Sequence, residues 1–155
     1  MKNEYSFAVD YDQSFGDLIK SIPFTWVSDE ISSMCFDFAR SGLNGCGVIL
    51  DGKVFDLGSF SLKNLKQVIQ KLNESGYRPG TAREFLSYCY AQRYESLSPN
   101  EPSLLVAIGS SYEEGPDKLY ILGVDIFDCE YNLILCDISQ EVNRPIFAVR
   151  ITENN

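Results

Sequence analysis

Histidine is absent from this chain of 155 residues. It is the side chain whose ordinary pKa lies closest to neutral pH, and it is the usual base beside a nucleophilic serine or cysteine. Its absence excludes a Ser-His-Asp or Cys-His centre within the chain, together with zinc sites built from cysteine and histidine. No two of the five cysteines, at positions 35, 46, 89, 129 and 136, are separated by only two to four residues, which argues against a cysteine-only zinc site.

Paired cysteines and long apolar runs are lacking as well. The cysteine count is odd and the cysteines lie in apolar stretches, so we expect reduced thiols instead of a disulfide framework. No apolar run approaches the roughly 20 residues that cross a bilayer. The first residues lack the basic and then apolar layout of a signal peptide. Together these features predict a cytoplasmic protein with no membrane association.

Positive charge is scarce. Thirteen Lys and Arg residues stand against 22 Asp and Glu residues, a net charge of −9, which argues against direct nucleic-acid binding because phosphate affinity depends on clustered cations. Residues 61–96 carry +3, between −5 over residues 1–60 and −7 over residues 97–155. One interpretation is an ordinary solvated surface that favours solubility. The other is an acidic face that binds a basic protein partner.

The length fits a single domain over residues 1–155, which would bury about 70% of the unfolded surface without a metal or disulfide. Apolar and polar residues alternate over residues 5–12, which predicts an N-terminal strand. Four helix starts follow from capping residues and apolar spacing, and Asp51-Gly52 predicts a hairpin turn. The predicted helices begin after Ser14, Ser28, Ser61 and Thr81, and the first three end at Pro23, Gly42 and Gly76.

After residue 103 the pattern changes to short apolar runs separated by turn-rich segments, one of them at 130–132. These runs predict four strands, at 104–108, 119–126, 133–138 and 145–151. The whole pattern favours an α+β fold over a doubly wound parallel sheet. We predict a central helix pair packed on a C-terminal antiparallel sheet, with an N-terminal strand and short helices.

Residues 76–86, GYRPGTAREFL, join the two central helices. Gly76 ends one helix, Pro79-Gly80 turns the chain, and Thr81 with Glu84 forms a capping box. Local structure explains Arg78 least. Its guanidinium group could bind carbonyl groups at a helix end or pair with one of the many acids.

This segment resembles the G-x-R-P-A-T-x-x-E-L-L motif of a group of small, uncharacterised bacterial and phage-borne proteins. The resemblance extends to residues 9–12 with 17–19 and 26–27, to the Val-Ala-Ile-Gly-Ser run at 106–110, and to the closing Phe-Ala-Val-Arg strand at 147–150. Gly80 stands where the group carries alanine, and the tryptophan that is common late in the group is missing. The group has no established activity, so the resemblance implies a bacterial or phage setting.

A weaker likeness concerns the fold. The order of helix, Arg-Pro-Thr turn, helix, Gly-Ser strand and closing Val-Arg strand is similar to bacterial C-type-lectin-like domains, which carry a W-R-L-P-T-x-x-E-L turn. Here residues 77–81 have an added glycine and lack the leucine of that turn. The likeness implies a C-type-lectin-like fold and, with it, small-ligand recognition.

Candidate binding residues lie in two places. Tyr90, Tyr94, Arg83 and Arg93 share the last helix and its neighbouring faces, and tyrosine and arginine are the residues that protein interfaces favour, although a core also needs aromatic bulk. With Arg78 they form a predicted surface for another protein. No catalytic residue, metal ligand or cofactor is assigned.

The late acids Asp125, Asp128, Glu130 and Asp137 form the second place. Carboxylate oxygens suit a hard cation, but a solvated acidic edge that discourages strand pairing is the favoured interpretation. We include Asp125, Asp128 and Glu130 in the predicted binding surface. The leading hypothesis is a non-enzymatic interaction module, an acidic inhibitor or accessory of a host system. The alternatives are a domain that binds a glycan or nucleotide and a carboxylate-based metal-dependent hydrolase.

Overall fold

The computed structural model describes residues 4–33, 45–92, 104–113, 116, 118–127 and 130–152. Within them one large sheet combines with several helices, which is consistent with the predicted α+β class. The elements are β1 (Glu4–Val9), α1 (Phe15–Ser21), β2 (Trp26–Val27), α2 (Asp29–Ser33), β3 (Val48–Phe55), β4 (Ser59–Phe60), α3 (Leu65–Glu74, after a 3₁₀ turn at Leu62–Asn64), β5 (Tyr77–Pro79), α4 (Ala82–Gln92), β6 (Leu104–Glu113), β7 (Leu119–Phe127), β8 (Glu130–Asp137), β9 (Val142–Asn143) and β10 (Ile146–Arg150). Among the helices of these residues, none has the length and apolar character needed to cross a membrane.

The large sheet is mixed and draws on both ends of the chain. Its strand order is β1-β3-β10-β6-β7-β8-β2, and β5 also pairs with β10. β10 runs antiparallel to β3 but parallel to β6, and β2 runs parallel to β8. A separate small sheet joins β4 and β9. The arrangement therefore differs from the predicted C-terminal antiparallel sheet, because the closing strand β10 inserts between β3 and β6 and links the two halves.

The two central helices lie on opposite faces of the sheet and do not form a packed pair. Successive side chains of a strand point to opposite faces. Phe147 of β10 packs in one core cluster with Phe85 of α4, whereas its neighbour Ile146 packs in a second cluster with Leu72 of α3. We name the two sides the α4 face and the α3 face. Each helix thus covers its own side of one sheet.

Several local predictions hold. Ser14 accepts a hydrogen bond from the Asp17 amide (3.1 Å) and begins α1, and Ser61 begins the 3₁₀ turn ahead of α3. All four late strands are confirmed, but β8 begins at Glu130, so the turn predicted at 130–132 is wrong. The second predicted helix is described only as α2, and the rest of that segment lies outside the described residues.

The hairpin turn predicted at Asp51-Gly52 is also wrong, since β3 is one continuous strand. A Cβ atom at Gly52 would lie 2.7 Å from Cε2 of Phe147 and 2.9 Å from Cε1 of Phe7. Such contacts are too close for a side chain. Gly52 therefore lets two aromatic rings pack directly against the strand backbone. Here the glycine of the Asp-Gly pair is required for packing and does not form a turn.

The Phe147 ring is the centre of the α4-face core. It is fully buried and packs against Phe7, Phe85 and Tyr88, with ring centroids 5.8, 5.7 and 4.8 Å away. A Cβ atom at Gly80 would overlap Cδ1 and Cε1 of the same ring. An alanine at this position would not fit beside this phenylalanine.

We expect Gly80→Ala to destabilise the protein by about 1–3 kcal/mol, the usual cost of overpacking a dense core. Urea unfolding followed by circular dichroism measures the change. The double variant Gly80→Ala/Phe147→Leu should lose less than the sum of its two single variants, because the smaller side chain gives the added methyl group room.

Gly16→Ala is the matched control. Gly16 lies in α1, where a Cβ atom would meet nothing beyond its chain neighbours and its own helix backbone within 4 Å, so the same substitution should leave stability unchanged or raise it by up to about 1 kcal/mol. Equal losses at Gly16 and Gly80 would show that the Phe147 contact is not the cause.

Candidate functional site

The central motif contains a buried ion pair. Arg78 on β5 donates from Nη1 to Oε1 of Glu84 (2.8 Å) and from Nη2 to Oε2 (2.7 Å), which is the two-pronged geometry that guanidinium and carboxylate groups favour. The Glu84 side chain is fully buried and that of Arg78 is 20% exposed. Arg78 also donates to the backbone oxygen of Pro79 (3.3 Å), which belongs to β5 and not to a helix end. Of the two roles considered for Arg78 from the sequence, the described contacts therefore bear out the pairing with an acid.

Glu84 has further donors. The Thr81 amide donates to Oε1 (3.0 Å) and the Glu84 amide donates to Oγ1 of Thr81 (3.2 Å), which confirms the capping box. The Tyr11 hydroxyl donates to Oε2 (3.2 Å). Burial alone would raise the pKa of the Glu84 carboxyl, but the hydrogen bonds and charge of Arg78, with those of Thr81, hold it below its usual range. Burial and the Glu84 charge raise the pKa of Tyr11.

Arg83, the next residue back along α4, is buried and faces the turn after β1. Its Nη1 donates to the backbone oxygens of Asp10 (3.1 Å) and Gln13. Burial lowers the pKa of this guanidinium group, and its Nε is buried without a hydrogen-bond partner. Arg83 therefore fixes the β1–α1 turn to α4.

Backbone contacts complete the junction at the start of α4. The Gly109 amide donates to the Gly80 oxygen (2.9 Å), and the Ala82 amide donates to Oγ of Ser110 (2.9 Å). The Gly80 amide donates to the Phe147 oxygen (3.3 Å). These contacts tie the start of α4 to β6 and β10, as Arg78 ties it to β5. Within the chain, Arg78 and Arg83 thus act as structural links, and their role in binding a partner stays a prediction.

The other residues predicted on this helix are only partly described. Tyr90 lies near the end of α4 and is 38% exposed. Arg93 and Tyr94 lie outside the described residues, as does Asp128 of the late acids. The structure therefore places a single member of the predicted Tyr/Arg surface, Tyr90, on the outside of the molecule.

The structure brings together two of the late acids and separates a third. Asp125 on β7 pairs with Asn132 on β8, two residues from Glu130. Asp137 lies at the far end of β8, opposite Tyr120, and accepts hydrogen bonds from Ser139. It lies five positions along the extended strand from Asn132, so it does not join the predicted cluster. In the part of the chain that the structure describes, no group of three or more acidic or cysteine side chains is placed to hold a metal ion.

A residue that the sequence prediction did not select completes this region. Trp26 on β2 pairs with Asn132, so Asp125, Asn132 and Trp26 form a row across three adjacent strands. Their neighbours in the strands place them on the α3 face, since Val27 and Leu133 pack on the other face. We name these three residues the Trp26 row. Trp26 is the single tryptophan of the chain, and its large apolar side chain is 52% exposed.

The Trp26 row and Glu130 present hydrogen-bond acceptors that have no donors in the part of the chain that the structure describes. Among the described residues, the carboxylates of Asp125 and Glu130 make no hydrogen bond or ion pair, and Oδ1 of Asn132 is buried without a partner. Asp125 is half-buried, where an unpaired carboxylate is costly. The row thus combines an exposed aromatic ring with unpaired negative charge.

In comparisons with known proteins, no family model, no curated protein and no solved structure matches this chain. The resemblances to the bacterial and phage-borne group and to C-type-lectin-like domains therefore stay predictions.

The ion pair makes stability depend on pH. Glu84→Gln leaves the Arg78 charge uncompensated, so we expect a loss of roughly 3 kcal/mol at pH 7. Because the folded pKa of Glu84 is lowered, its contribution is complete above the usual glutamate pKa of about 4.3 and is lost as pH falls toward the lowered value. Urea unfolding of both proteins between pH 7 and pH 2.5 should show the difference shrinking below about pH 4.

Glu74→Gln provides the comparison, since Glu74 is exposed on α3 and bonds only to Gln70 there. It should change stability by less than about 0.5 kcal/mol at every pH. A loss in Glu84→Gln that stays constant over the whole pH range would contradict the ion-pair explanation.

Proposed function

We propose that this chain is a non-enzymatic protein-interaction module of bacterial or phage origin, acting as an acidic inhibitor or accessory of a host system. It binds a basic protein partner through the Trp26 row and Glu130. The observation that supports this proposal best is the exposed Trp26 beside carboxylates that have no partner among the described residues.

The chemistry of the row suits an interface. Tryptophan is among the side chains that contribute most to protein–protein affinity, provided that the partner covers it. The carboxylates of Asp125 and Glu130 complement a basic partner, and the net charge of −9 speeds its approach. An isolated exposed apolar residue needs no explanation, but an aromatic residue placed with unpaired charge on one sheet face favours recognition.

The polar groups of the α4 junction offer less to a partner. The Arg78 guanidinium already has Glu84 and the Pro79 oxygen, and Arg83 is bound to backbone oxygens. A partner would have to replace these contacts before it gained affinity. We therefore place the binding surface at the Trp26 row and not at Arg78 and Arg83, which the sequence suggested.

Affinity purification from host lysate, with quantitative mass spectrometry, tests this function. We expect one protein with a basic segment to be enriched in stoichiometric amount and to be released by about 0.5 M salt, where charges are screened beyond a few ångströms. Asp125→Asn/Glu130→Gln should reduce its recovery at least tenfold, because both carboxylates lose their charge.

Asp17→Asn/Glu141→Gln changes the net charge equally at two exposed positions outside the row and should retain the partner. If no protein is enriched by the unaltered chain, the interaction function is wrong. If both double variants lose the partner equally, net charge and not the Trp26 row causes binding.

A further inference from the structure

We propose that the Trp26 row binds the guanidinium group of an arginine side chain in the basic partner. This inference rests on the proposed function and specifies the chemistry of its central contact. The occupant is one arginine, held between the indole ring of Trp26 and the carboxylate of Asp125, with Glu130 beside it.

The hydrogen-bond inventory of the row selects the occupant. Asp125 and Glu130 offer only acceptor oxygens when ionised, and the unpaired atom of Asn132 is its acceptor oxygen Oδ1. A group that matches these acceptor oxygens must therefore supply several donors and positive charge. Arginine carries five N–H donors and no acceptor, whereas lysine concentrates its three donors at one point.

The indole ring makes the same selection by shape. Guanidinium is planar and weakly hydrated, so it stacks on an aromatic face, and tryptophan gives the strongest cation–π contact. Adjacent strands lie about 4.8 Å apart, so the backbone of Trp26 lies about 10 Å from that of Asp125, with Asn132 between them. A guanidinium group in this interval can stack on the ring and donate to the carboxylate at once.

Arg144, a cation of the chain near Cys136 on this face, does not fill the position. Burial and, less strongly, the Asp125 charge raise the pKa of the Cys136 thiol, whereas the Arg144 charge lowers it. Arg144 therefore lies close to Cys136. It makes no hydrogen bond to Asp125 or Asn132, and its Nη1 is itself buried without a partner. Arg144 therefore opposes an incoming arginine by charge, and its removal should strengthen binding.

Binding should change the surroundings of Trp26. Oδ1 of Asn132 is buried in the free chain, so an arginine reaches it only when the Asn132 side chain or the groups that cover it turn. Because Trp26 is the single tryptophan, its fluorescence and its indole N–H resonance report on this position alone. The row thus contains its own reporter.

The test titrates the purified full chain with blocked peptides Gly-Arg-Gly, Gly-Lys-Gly and Gly-citrulline-Gly, and follows the indole N–H signal by NMR. Citrulline keeps the shape of arginine without its charge. We expect saturable binding of the arginine peptide in the millimolar range, at least fivefold weaker binding of the lysine peptide, and no saturation with citrulline. A missing response to the arginine peptide, or an equal response to citrulline, would overturn the inference.

Variants separate the row from general charge. Asp125→Asn should weaken the arginine peptide about tenfold, which is the loss of one charge-assisted hydrogen bond. Asp17→Asn, on α1 at the opposite side of the sheet, should leave binding unchanged, and Arg144→Gln should strengthen it about twofold. Equal weakening by Asp125→Asn and Asp17→Asn would overturn the assignment to the Trp26 row.

The peptide assay tests the arginine site and the lysate purification tests the interaction function, so either result can be negative while the other is positive. A partner that is captured equally by the unaltered chain and by Trp26→Ala would leave the interaction function standing and reject the arginine site. An arginine peptide that binds at Trp26 when the lysate yields no partner would reject the proposed function and retain the site.

Discussion

The fold depends on the packing of one phenylalanine ring directly against the backbone of two glycine residues. Phe147 lies on the closing strand β10, between Gly52 of β3 and Gly80 at the start of α4. Because β10 inserts between the N-terminal and C-terminal halves of the sheet, this contact joins both halves and α4 in one core. Added volume at either glycine would push β10 away from its neighbours, since a dense core has no room to absorb it.

The Arg78–Glu84 pair belongs to the same constraint. Close packing of Gly80 on Phe147 brings the start of α4 under β5, and the buried carboxylate of Glu84 then needs a cation within the chain. Arg78 supplies it from the strand that precedes the turn, only six residues away. The motif thus combines a close backbone approach, a helix cap and a charge pair within residues 78–84.

Sequence reasoning succeeded where the physical cause is local and failed where it is not. The helix starts at Ser14, Ser61 and Thr81 follow from capping contacts within three residues. Asp51-Gly52 predicts a turn from its local pattern, but the same two residues also occur where a glycine makes room for an aromatic ring that is distant in the sequence. The Trp26 row could not be predicted, since Trp26 lies about a hundred residues from Asp125 and Asn132 and meets them only through the pairing of β2 with β8.

The same distinction changes how the charge pattern is understood. The sequence places a basic middle segment between two acidic ends, but Arg83 of that segment is buried and Arg78 forms an ion pair with Glu84. The described cations of the segment that remain exposed are Lys63, Lys66 and Lys71, around the solvent side of α3. A charge that is neutralised inside the fold adds little to the field that a partner meets at a distance. The Arg78–Glu84 pair lies within the segment and leaves its net charge of +3 unchanged, so among the described residues the burial of Arg83 is what withdraws positive charge from the surface there. Asp125 and Glu130 keep their charges beside Trp26, so recognition of a cationic group follows from which charges the fold has already paired.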